Sequence, residues 1–106
     1  MSEKVRSIIK ELRHRLEALY GPRLVRMVLY GSQARGDAEP GSDIDVLVVL
    51  QGPVSPGEEI ARTSDIIASL SLTHGMVLSR AFVSSDRFER EQSPLLMNIR
   101  REGVTV

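Results

Sequence analysis

The 106-residue chain has no cysteine and no tryptophan, and only two Phe and two Tyr. Without thiols it can build neither a disulfide framework nor a thiolate metal site, which suits a reducing compartment, so the expected location is cytoplasmic. So few aromatic rings leave no stacking platform for single-stranded nucleic acid. Lys and Arg total 14 and Asp and Glu total 14, so the net charge is zero. The basic excess that drives sequence-independent nucleic-acid binding is missing, and a nucleic-acid partner is disfavoured. No run approaches the roughly 20 apolar residues that span a bilayer, and Ser2-Glu3-Lys4 precedes no signal-peptide core. No membrane association is expected.

What is present suits a folded protein. Apolar residues make up 42% and charged residues 26%, the balance of an ordinary globular chain. The length allows one core and excludes a second lobe of comparable size, so residues 1–106 read as a single domain. No internal repeat, low-complexity tract or linker interrupts it.

Helical spacing of Val5, Ile8, Ile9, Leu12, Leu16 and Leu19 predicts an amphipathic helix over about 3–20, stopped by Gly21-Pro22. The β-rich run Leu24 to Tyr30 predicts a first strand leading straight into a Gly-Ser turn. Ser32 to Arg35 can form one helical turn capped by Ser32, before a polar loop. Asp43 to Leu50 reads as a second strand, apolar at every position after Asp45, and so covered on both faces in mid-sheet. A second long helix is expected over about 57–73, then a third strand over Met76 to Val83 in which Val77, Ser79, Ala81 and Val83 share a face. Asp86 to Glu91 should be helical, and Ser93-Pro94 opens a last helix followed by Gly103 and an extended tail, Val104 to Val106. Leu95, Leu96 and Ile99 either complete the core or, with that tail, form an interface that would permit a homo-oligomer. Strands interleaved with helices give a small layered α/β or α+β sheet whose strand order the spacing leaves open.

Chemistry concentrates between Gly31 and Asp45. A turn entering a helix presents unpaired N–H groups that bind anions, Gly31 allows close approach, and Ser32 adds a hydroxyl donor. Arg35 or Arg26 would supply positive charge. A plain capped turn is the alternative. Asp43 and Asp45, two apart on a strand, leave the same face roughly 6 to 7 Å apart. Such a pair either converges on a hard cation such as Mg²⁺ or is simply solvated where loop meets strand. His14 and His74 read as ordinary surface residues.

Gly31-Ser32-x-Ala34-Arg35-Gly36 followed by Ser42-Asp43-Ile44-Asp45 resembles the signature of the DNA polymerase β-type nucleotidyltransferase superfamily, in particular its minimal nucleotidyltransferases. The resemblance extends to the first helix, the length and the stretch from Ser93-Pro94 to Gly103. It implies the α+β nucleotidyltransferase fold, a small mixed β-sheet flanked by helices. It also implies that Gly31, Ser32 and Arg35 bind the triphosphate of ATP, that Asp43 and Asp45 are the catalytic residues and hold Mg²⁺, and that AMP passes to a protein. By the same resemblance the chain is the antitoxin of a helical HEPN-type toxin, a ribonuclease whose tyrosine can be adenylylated. One position departs: superfamily members place a third acid on a later strand, and Ser79 matches it here. Hence the alternative expectation of a catalytically weak or inactive module that binds nucleotide or partner and neutralises the partner by complex formation. A small-molecule acceptor is disfavoured by the missing second lobe.

Overall fold

The computed structural model describes all 106 residues. Helix α1 spans Glu3–Tyr20; Ser2 caps it by accepting from the Val5 amide at 3.2 Å. Its buried stripe is Val5, Ile8, Ile9, Leu12, Leu16 and Tyr20. Leu19, expected in that stripe, is 40% exposed instead, because the stripe turns with the helix and Tyr20 reaches the core at the last turn. A 3₁₀ turn, Gly21–Arg23, leads into strand β1, Leu24–Tyr30. The short helix α2, Ser32–Arg35, and a loop then lead to β2, Ile44–Leu50. After α3, Pro56–His74, come β3, Leu78–Ser84, and two helices, α4 over Ser85–Arg90 and α5 over Pro94–Glu102. The tail Val104–Thr105 forms β4.

The sheet order is β3-β2-β1-β4. β2 runs antiparallel to β1 and parallel to β3, and β4 adds antiparallel to β1. The fold is therefore the expected mixed sheet flanked by helices. α3 serves as the crossover that parallel strands require. Alternation along β2 sends Ile44, Val46, Val48 and Leu50 into a core with α1 and α3, and Leu47 and Val49 into a second core with Phe88, Leu96 and Ile99 of α4 and α5. Both faces of β2 are thus covered, and Asp45 is its one residue not fully buried.

The last helix divides its apolar residues. Leu96 and Ile99 are buried, whereas Leu95 is 54% exposed and does not join the core. Ser93 caps α5 by accepting from the Leu96 amide at 3.3 Å, with Pro94 as first helical residue. Gly103 closes it at φ −69°, outside the left-handed region. Glycine is needed for closeness: a Cβ there would lie 2.5 Å from both the Ile99 carbonyl oxygen and Val28 Cγ1.

Candidate functional site

The C-terminal end of β1 delivers the chain to Gly31 at φ 74°, a conformation that strains any residue with a Cβ. Gly31, not Ser32, occupies the cap of α2, its carbonyl accepting from the amides of Ala34 and Arg35, each at 3.1 Å. Ser32 is the first helical residue, and its hydroxyl bonds to no protein group. The expected capping role of Ser32 is thereby corrected, and the hydroxyl is left available.

Registry assembles the rest. Tyr30 of β1 pairs with Asp45 of β2, and Asp45 with Ser79 of β3, so the three side chains form a row on the face that also carries Leu47 and Val49. The turn then closes on the row: a Cβ on Gly31 would sit 2.5 Å from Asp45 Oδ2. Asp43 lies one residue ahead of β2, exposed, while Asp45 is half-buried. Burial pushes the Asp45 carboxyl above the ordinary aspartate value, and the negative charge of Asp43 pushes it further. Burial, then Asp45, likewise raises the Tyr30 hydroxyl. Neither aspartate is ion-paired, and no third carboxylate, imidazole or thiol joins them. Two neighbouring unpaired carboxylates, one partly desolvated, are stabilised by a cation, and an all-oxygen set fits Mg²⁺ with water or phosphate completing its shell.

The two candidate cations behave differently. Arg35 ends α2 and pairs with Asp37 at 3.3 Å and Glu102 at 3.9 Å, exposed contacts weak enough for a phosphate to displace. Arg26 does not reach the turn. It lies four strand residues before Tyr30, roughly 13 Å away, with its guanidinium stacked 5.3 Å from the Phe88 ring. Concavities of 240 to 540 Å³ include none of Gly31, Ser32, Asp43 or Asp45, but one of about 400 Å³ adjoins them, lined by Gln33 and the loop residues Ala38 to Gly41. Asp43 is exposed and Gly31, Ser32 and Asp45 are partly so, which leaves the site accessible from solvent. His14 is exposed, and His74 pairs with Glu11 at 3.1 Å between α1 and α3, away from the site. Sequence reasoning overlooked Gln33, a buried polar residue at the variable position of the Gly-Ser motif, where spacing carries no signal.

The nucleotidyltransferase domain model matches residues 7–93 of this chain. The chain belongs to the nucleotidyltransferase domain family. Among curated relatives, "Putative protein adenylyltransferase MJ0604" of Methanocaldococcus jannaschii is 34% identical over 83 residues, covering 78% of this chain and 77% of that protein. Among solved structures, this nucleotidyltransferase domain resembles a toxin–antitoxin with AMP-PNP at TM-score 0.61 and 23% identity, covering 95% of this chain and 70% of that one. It also resembles a "putative minimal nucleotidyltransferase" at TM-score 0.58 and 25% identity, covering 96% and 95%.

Proposed function

We propose that the chain is a Mg²⁺-dependent nucleotidyltransferase that moves AMP from ATP onto a protein, as the antitoxin partner of a helical HEPN-type toxin. The observation carrying this reading is the close approach of the Gly31 turn to the Asp45 carboxylate, with Asp43 unpaired beside it. Phosphate-facing backbone and metal-facing carboxylates then share one edge. The protein adenylyltransferase name of the archaeal relative supports transfer to protein, and the toxin–antitoxin neighbour with AMP-PNP supports both the nucleotide and the pairing. Residues 1–106 act in this reading as a single domain, and the cysteine-free composition suits work in the cytoplasm.

Each residue has a task. Gly31 lets the triphosphate reach the amides that open α2, Ser32 Oγ donates to a phosphate oxygen, and Arg35 exchanges its surface carboxylates for phosphate. Asp43 and Asp45 would hold Mg²⁺, which when bound neutralises charge developing on the phosphates. The acceptor hydroxyl oxygen bonds to the α-phosphorus, the bond to the bridging oxygen of the β-phosphate breaks, and pyrophosphate leaves. The acceptor proton goes to solvent. In this reading the docked partner supplies contacts to the base and the acceptor.

A second reading rests on Ser79. It stands in register with Asp45, and a serine hydroxyl is a poor replacement for a carboxylate, whether as metal ligand or as base. If that is where a third acid is required, the chain neutralises its partner by binding alone. Incubation of the chain and its HEPN-type partner with α-labelled ATP and Mg²⁺ separates the two. Enzymatic transfer puts label on the partner and loses it with Asp43→Ala or Asp45→Ala; a tight unlabelled complex supports binding alone and overturns transfer.

A further inference from the structure

We propose that Gln33 is a positioning residue: its side chain crosses from the phosphate-binding turn to the loop that presents Asp43 and holds that aspartate in place for the metal. The inference rests on the site assignment above. Gln33 lies inside α2 and is only 8% exposed, an unusual setting for an amide. Its Nε2 donates to the Ser42 carbonyl oxygen at 3.3 Å. That carbonyl belongs to the peptide joining Ser42 to Asp43. The next peptide is held from the other side, where the Ile44 amide donates to the Val77 carbonyl at 3.0 Å. Asp43 therefore hangs between two anchored peptide planes, one of them anchored by Gln33. Ser42 is also tied back to Glu39, its amide donating to the Glu39 carbonyl and its hydroxyl accepting from the Glu39 amide, both at 3.0 Å. The loop is thus a closed turn that Gln33 fastens to α2.

An outer-shell group of this kind acts by orienting a ligand before the metal arrives. Gln33→Met keeps the volume and removes the donor; Gln33→Leu serves as a second variant should the first fold poorly. In ligand-free protein, exchange of the Ser42 and Ile44 amides, which donate to the Glu39 and Val77 carbonyls, should accelerate in the variant while α1 and α3 stay protected. In titrations with Mn²⁺ and a non-hydrolysable ATP analogue, half-saturating Mn²⁺ should rise about tenfold, while analogue affinity at saturating Mn²⁺ stays within about twofold. Unchanged exchange, unchanged Mn²⁺ dependence, or an equal loss of analogue affinity at all Mn²⁺ concentrations would each overturn the proposal. A wild-type chain that binds neither Mn²⁺ nor analogue sinks the site assignment and the metal role of Gln33 together; exchange then still decides whether Gln33 holds the loop.

Discussion

Asp45 carries opposing demands. Its partial burial and the neighbouring Asp43 charge favour the protonated form, so its folded pKa lies above its unfolded value. The sign of the linkage follows: its contribution to stability is fully present below the ordinary aspartate pKa and is lost as pH rises through the raised folded value. At neutral pH without metal, the charged carboxylate is a burden that the fold tolerates. Asp45→Asn should accordingly raise the Tm of the metal-free protein at pH 7, with the difference shrinking as pH falls through the carboxylate range. Thermal melts across pH check this, and a lower Tm for the variant at pH 7 would contradict it. From the sequence, Gly31 is expected to allow close approach of a phosphate. The structure shows a reason of its own for glycine there, since the carboxylate of Asp45 occupies the space a Cβ would need. That contact joins residues 14 apart and has no local signature.

Helices and strands were legible where period and punctuation agreed. Ser93-Pro94 and the continuous apolar run of β2 each state a local preference that packing then confirms. Spacing failed where neighbouring apolar residues compete for one face, as Leu95 does with Leu96 and Leu19 with Tyr20. Gly103 was readable as following a helix, but the reason for glycine there is the approach of α5 to β1. Gly103→Ala should push α5 away from Val28 and cost about 1 to 3 kcal/mol through overpacking. Denaturant unfolding measures this, and a variant as stable as the wild type would show that α5 adjusts freely.

At the scale of the molecule, the two antiparallel pairings of β1 and the one parallel pairing of β2 bring turn, acids and Ser79 to a common edge. A buried polar knot lies apart from that edge: Glu59, 3% exposed, accepts from the Tyr20 hydroxyl at 2.7 Å and pairs with Arg62 at 3.4 Å and Arg23 at 3.9 Å. Burial and the Glu59 contact raise the Tyr20 hydroxyl pKa. No single segment announced that knot, because its members come from α1, the 3₁₀ turn and α3. Ligand linkage makes a test of the whole fold: ATP with Mg²⁺ at a hundredfold above Kd should add about 2.7 kcal/mol to stability. Thermal melts of wild type and Asp43→Ala, with and without Mg²⁺, check it; equal shifts in both would remove Asp43 from the site.

The sequence by itself determined the elements, the candidate motif and the class of chemistry, because periodicity, capping residues and a short Gly-Ser to Asp-x-Asp spacing are local properties. Only the tertiary structure decided the strand order, the nearness of Gly31 to Asp45, the loss of Arg26 to another part of the sheet and the reach of Gln33 to Ser42. Those depend on registry and on which side chains are drawn into a shared core, and such choices are settled by burial over the whole chain.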